Sequence, residues 1–460
     1  MNRQNVDLGS GKVGKLLFSL ALPTITSQIV NMLYNLVDRV YIGHMQPVET
    51  VGKLALTGVG VCLPIIMVIS AFAALMAMGG APRASIEEGR GNIQGAERIM
   101  GNCFTMLVAA AVVLTAVFLV FAEPMLYIFG ASENTIGYAL DYMRIYCLGT
   151  LFVQVTLGMN AFITAQGFTV VGMKTVLIGA GLNTVLDPVF IFAFGMGVQG
   201  AALATILSQA VSAAWVLRFL TGPKTKWRLR KANLWPQAKV VLPSLALGLS
   251  PFIMQSTESL IAICFNSSLL KYGGDTAVGA MTVLTSIMQF AMMPLHGLTQ
   301  GAQPIVSYNY GARNPERVRR AFQVLLMACL AYSLLLWALV QLFPQLFALM
   351  FTSDSELVSY ASWALRIYMA ATGIFGIQIA CQQTFVALGN AKISLFLAVL
   401  RKIILLIPFI YILPNFFADK AFAVFLAEPV ADFLAVCTTA TMFAVHFKKS
   451  MTALEGKPGV

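Results

Sequence analysis

The chain has 460 residues, 58% of them hydrophobic and only 11% charged. Soluble domains carry about 25% charged residues, so this chain is too poor in charge to cover a water-facing surface, and lipid is the natural solvent for it. A net charge of +11 would suit nucleic acid, but its placement along the chain argues against that partner.

A spanning helix needs about 20 apolar residues, and stretches of that kind recur along nearly the whole chain. The first 17 residues are polar and mixed in charge, and the run that follows is too long for a signal segment. That run, 14–42, is span 1. It carries Gln28, Asn31, Tyr34 and Asn35, which line a polar pathway or hydrogen-bond neighbouring helices, and it carries Asp38. Spans 2, 3 and 4 read 54–80, 99–123 and 137–163, with Tyr142 a further pathway candidate. Span 5, 170–194, holds Asn183 and Asp187; span 6, 199–220, holds Thr205. Spans 7, 8 and 9 read 240–270, 277–305 and 320–345, with Glu258 on the first of them. Span 10, 357–388, carries Gln378, Gln382 and Gln383; span 11, 392–413, carries Arg401 and Lys402; span 12, 418–446, carries Glu428 and Asp432. The fold class is an all-α membrane protein of twelve transmembrane helices.

The loops sort by charge. With an even number of spans both termini share a side. That side collects 22 of the 30 basic residues, densest at Arg218 and from Lys224 to Lys239, with Arg3 near the start and Lys457 near the end. The opposite loops are short and hold Glu49, Glu133, Asp275, Asp354, Glu356 and Asp419. Basic loops stay in the cytoplasm, so both termini are expected there, in a multi-pass protein of the cytoplasmic membrane. The basic excess is thus a topology signal, with some contact to anionic membrane lipid, and nucleic acid is not an expected partner.

The chain repeats itself. Gly79, Pro82, Ser85, Gly89, Asn92 and Arg98 map onto Gly301, Pro304, Ser307, Gly311, Asn314 and Arg320 at one constant offset of 222, and Gly167 maps onto Gly389 at the same offset. Leu20-Ala21-Leu22 before Pro23 echoes Leu245-Ala246-Leu247 before Pro251. The expected organisation is an N-lobe over 1–220, a basic cytoplasmic linker over 221–239, a C-lobe over 240–446 and a cytoplasmic tail over 447–460. Six spans per half gives both halves one orientation, related by a pseudo-twofold axis along the membrane normal. Transporters are built this way, with the pathway between the repeats.

Charge at a helix centre is costly, about 2.5–3.5 kcal/mol on insertion scales, so intramembrane ionisable residues are functional candidates. Asp38, Asp187 and Thr205 sit five, eight and five residues from the glycines at Gly43, Gly195 and Gly200. At 1.5 Å per residue they share a depth roughly 7–12 Å below the outer surface. Asn183 and Asp187 are four apart and share a helix face. Two carboxylates, an amide and a hydroxyl at one depth suit a small cation or a shared proton, because two close carboxylates in a low-dielectric site do not readily both ionise. The blander readings are an interfacial ion pair for Asp38 and a kink role for Asp187 beside Pro188. In the second half, Arg401 is expected to pair with Asp432 or Glu428, which are four apart on span 12. Glu258 is open to either a structural or a substrate role.

None of the seven cysteines forms a CxxC pair and the three histidines are scattered, so no disulfide framework or metal cluster is expected. No Walker, HExxH, GxSxG or TVGYG motif is present. No catalytic residue, enzyme activity or cofactor is expected; the only ion called for is a coupling H+ or Na+.

The segments Leu20–Pro23 and Asn35–Gly43, the Gly89–Arg98 and Gly311–Arg320 loops, Leu182–Pro188 and Leu400–Pro408 together resemble the multidrug and toxic compound extrusion (MATE) family over essentially the whole chain. The resemblance implies two six-helix lobes around a central cleft, and a secondary antiporter that exports amphipathic, often cationic, small organic compounds as a monomer. Asp38, Asn183, Asp187 and Thr205 fall on the family's N-lobe cation site, and Glu258 on its acidic seventh helix. The NorM branch carries an aspartate on the tenth helix; span 10 here has glutamines instead, so the chain looks closer to the DinF-like branch. A lipid-linked precursor flippase of the same wider superfamily is the alternative.

Overall fold

The structure is a computed structural model that describes residues 7–456. Arg3, Lys457 and the side chain of Glu49 lie outside the described residues. Among those described there is no strand. The helices are α1 (Val13–Gly43), α2 (Lys53–Gly89), α3 (Ile93–Ile128), α4 (Ile136–Leu148), α5 (Thr150–Ala165), α6 (Thr169–Pro188), α7 (Gly197–Thr221), α8 (Ala238–Gly311), α9 (Pro315–Leu342), α10 (Pro344–Leu349), α11 (Ser355–Tyr368), α12 (Thr372–Ala387), α13 (Ala391–Val399), α14 (Ile407–Ile412) and α15 (Lys420–Glu455).

Length converts these helices into spans. Nine helical stretches among the described residues are long and apolar enough to cross a bilayer. One of them, α8, runs for 74 residues; at 1.5 Å per residue that is about 110 Å, against a hydrocarbon core of about 30 Å. It is broken at Gly274, whose φ of 66° interrupts the helix, and so makes two spans. Two further spans are bent: α4 meets α5 at 57° and α11 meets α12 at 51°. Counted this way the described residues hold the twelve spans read from the sequence. The bends fall at Gly149 and at 369–371, again about 222 residues apart.

The repeat is structural as well as textual. Asn92 caps α3 by accepting from the Gly95 amide, and Asn314 caps α9 by accepting from the Arg317 amide; a side-chain oxygen there satisfies one of the orphan donors of the first turn. Ser85 donates to the Ala165 carbonyl at 3.0 Å, and Ser307 donates to the Ala387 carbonyl at 2.7 Å. Both halves thus fasten the end of one helix to the end of another with the same bond. The helix that forms span 2, α2, also continues through Pro82 to Gly89, beyond residue 80, where the span read from the sequence ends.

Two compact units divide the chain. One is Thr26–Gln255; the other joins Leu8–Ile25 to the chain from Ser256 onward. The divisions fall inside α1 and α8. In the first unit the opening turns of α8 lie against α2, where Arg83 donates to the Val240 carbonyl at 2.7 Å and to Ser244 Oγ at 2.6 Å. A Cβ on Gly79 would collide with the Ser244 backbone, and one on Gly248 with the Leu75 backbone; only glycine allows this approach. In the second unit the opening turns of α1 lie against the end of α8, where Thr24 donates to the Gly297 carbonyl at 2.6 Å.

Segment 221–239 is a fitted part of the first unit. Gln166 Oε1 accepts from Thr225 Oγ1 at 2.8 Å and from the amides of Lys226 and Trp227 at 2.8 and 3.0 Å. Glu97 accepts from the Arg228 amide at 2.9 Å and pairs with Arg230 at 3.0 Å. Asn102 bonds Asn233 and Gln237, and Trp227 is fully buried. These bonds explain why Glu97, Asn102 and Gln166 are buried polar residues.

Candidate functional site

In the first unit, α1, α6 and α7 deliver four polar side chains to one buried locality. Asn183 and Asp187 lie one turn apart on α6. The Asn183 amide Nδ2 donates to Asp187 Oδ1 at 3.1 Å and to Thr205 Oγ1 at 3.3 Å. Asp38, near the end of α1, lies within side-chain hydrogen-bonding reach of Asp187. All four are buried. The Tyr34 phenol is within electrostatic reach of both carboxylates, and buried Tyr142 within reach of Asp38. Local chemistry opens the site: α6 ends at Pro188, which lacks an N–H, and the chain continues as a π-helical turn over Val189–Ala193. Wide turns of this kind recur where a helix must free polar groups for function.

The quartet is rich in acceptors. Asp38 Oδ1, Asp187 Oδ2 and Asn183 Oδ1 are buried and meet no hydrogen-bond donor among the described residues. Buried oxygens are ordinarily satisfied, and an unpaired buried charge is far costlier than an unpaired amide. A proton or a small hard cation is the chemistry that such an oxygen cluster accepts.

In the second unit, Arg401 and Lys402 lie in a π-helical segment, Leu400–Leu406, just ahead of Pro408. Arg401 Nε donates to Asp432 Oδ1 at 2.7 Å and its Nη2 to Glu428 Oε1 at 3.0 Å. Its guanidinium lies 4.5 Å from the Phe375 ring centroid. The expected pairing with Asp432 or Glu428 is a pairing with both. Lys402 Nζ donates to Glu258 Oε1 at 2.7 Å, a partnership that sequence reading missed. Its signal was present: three deep carboxylates and two deep cations on spans 7, 11 and 12.

The remaining pathway candidates divide between the units. Gln28 and Asn31 are half-buried on α1, and Asn35, exposed, donates to the Asn31 carbonyl at 2.7 Å. Gln378 and Gln382, both buried on α12, bond each other at 3.0 Å.

Comparison with known proteins supports the same frame. The family model described as MatE matches residues 23–189 and 251–412, one match in each half. The multidrug export protein MepA of Staphylococcus haemolyticus (strain JCSC1435) is 22% identical over 424 residues, 92% of each chain. MepA of Staphylococcus aureus (strain NCTC 8325 / PS 47) is 22% identical over 445 residues, 96% of each. Among solved structures, an outward-facing multidrug resistance MATE family transporter of the MOP superfamily superposes with a TM-score of 0.90 at 23% identity, over 99% of this chain and 100% of that one. At that identity the likeness establishes the fold, twelve helices in two lobes.

Proposed function

The chain belongs to the MatE family, whose members are transporters rather than enzymes, and we propose that it is a multidrug efflux antiporter of the cell membrane. It exports amphipathic, often cationic, organic compounds, driven by H+ or Na+ moving inward, with both termini in the cytoplasm and one chain as the working unit. It belongs on this reading to the DinF-like branch, with coupling in the N-lobe.

One observation carries the proposal: Asn183 ties Asp187 to Thr205 beside Asp38, with three buried oxygens still lacking a donor. Two adjacent carboxylates change charge when a proton or cation enters, and that change alters the cost of holding them out of water. Coupling follows if the site loads from one side and unloads to the other, since a ligand shifts an equilibrium only by binding two states differently. Asn183 orients Asp187 and holds Thr205 as a neutral ligand. A pyrophosphate-bearing lipid precursor fits poorly, because the deep C-lobe cluster holds more carboxylates than cations.

The direct test is dye efflux from cells expressing the chain, with and without an imposed sodium or proton gradient. Gradient-dependent efflux above that of cells lacking the chain is expected; efflux indifferent to both gradients would remove the antiport reading.

A further inference from the structure

Arg401 and Lys402 are neighbours in sequence with opposite degrees of commitment. Arg401 holds two buried carboxylates and an aromatic face at once. A guanidinium fork engaged on several sides is geometrically locked, whereas an ammonium is a point charge on a flexible stem. Lys402 makes one ion pair, at 2.7 Å, with Glu258. The Lys402 side chain is 7% exposed, while that of Glu258 is 54% exposed. The anion of this pair is accessible and the cation is not.

The charge balance points the same way. Three acids, Glu258, Glu428 and Asp432, face two bases, Arg401 and Lys402, and His296 lies within electrostatic reach of Glu258. Lys402 is also within electrostatic reach of Glu428, which gives its ammonium a second carboxylate to turn to. Acids outnumber bases here, and the accessible carboxylate of Glu258 is where a further cation can arrive.

We propose that Lys402 is a tethered counter-cation that a monovalent organic cation displaces from Glu258 during binding, and that Lys402 thereby sets the affinity for cationic compounds. This rests on the export reading above and adds a specificity-determining residue to it. When a lipophilic cation takes the accessible face of Glu258, Lys402 turns toward Glu428 and Arg401 stays in place. Neutral compounds gain nothing from the exchange, so the device selects for charge.

The experiment is calorimetric titration of tetraphenylphosphonium into the purified full chain in detergent, with neutral triphenylphosphine oxide as control. Lys402→Met removes the competitor, and the phosphonium should bind about tenfold tighter, the change that one modest ion pair makes, with the neutral compound unaffected. Glu258→Gln should abolish the preference for the cation. Lys402→Arg, which strengthens the grip on Glu258, should weaken phosphonium binding and serves if the methionine variant does not fold. A parent that binds the phosphonium while Lys402→Met and Lys402→Arg bind it equally well overturns the inference and leaves the export reading standing. A parent that neither binds nor exports any cation removes both.

Discussion

Arg401 and Asp432 meet at 2.7 Å with both side chains almost wholly buried. Isolating one member of a buried pair is far more damaging than removing the pair, because the remaining charge is stranded in low dielectric. Arg401→Ala strands Asp432 and Glu428 together. It should cost about 3–5 kcal/mol and lower both expression and the unfolding temperature in detergent. The triple change Arg401→Met, Glu428→Gln, Asp432→Asn should recover most of that loss. A single variant that expresses and melts like the parent, yet does not transport, would mean that Arg401 acts directly on substrate.

Gln166 fastens segment 221–239 with one oxygen shared among three donors. Gln166→Leu leaves two amides unsatisfied in a buried setting, each costing about 1–3 kcal/mol. The segment should then loosen, and limited trypsin digestion should cut faster at Lys224, Lys226 and Arg228 than in the parent. Unchanged cleavage would show that the Glu97 and Asn102 bonds alone suffice.

The same segment reports topology. Cys437 is exposed and the other six cysteines are buried, so a Cys437→Ser background is close to silent. A cysteine at exposed Lys231 should react with an impermeant maleimide only after cells are opened. Labelling from outside intact cells would place the segment, and both termini, on the wrong side.

Ser85 and Ser307 make equivalent bonds in the two halves. Ser85→Ala and Ser307→Ala should each lower stability by about 0.5–1.5 kcal/mol, and should do so additively, since the two lie in separate units. Thermal unfolding of the two singles and the double checks this; strong non-additivity would deny them independent roles.

Much of this was legible in the sequence for identifiable reasons. The constant offset that relates Asn92 to Asn314 is read directly off the chain, and both turn out to cap a helix. Depth below a loop is local, and it singled out Asp38, Asp187 and Thr205. Which helix faces which is not local. The pairing of Lys402 with Glu258 depends on α8 and the π-helical segment lying side by side, and the sequence offers only a list of possible partners. The divisions within α1 and α8 were likewise hidden, because hydropathy does not record which neighbour a helix turn packs on. Hydropathy ends span 2 at residue 80, yet the helix runs on to Gly89, and Ser85 within that extension is tied to the Ala165 carbonyl.

The central claim is that the N-lobe quartet couples an ion to export, and gradient-driven uptake of a fluorescent organic cation into inside-out vesicles tests it most directly. Asp38→Asn and Asp187→Asn keep the size of each side chain but remove the charge change that loading and unloading require. Both should express and bind substrate, and both should lose coupled transport at least tenfold, the loss expected when about 1.4 kcal/mol or more of driving interaction is removed. Thr205→Ala deletes one neutral acceptor of Asn183 and should show a milder defect. If both Asp→Asn variants accumulate the cation at the parental rate, with the same dependence on external pH or sodium, the N-lobe does not couple transport and the account is contradicted.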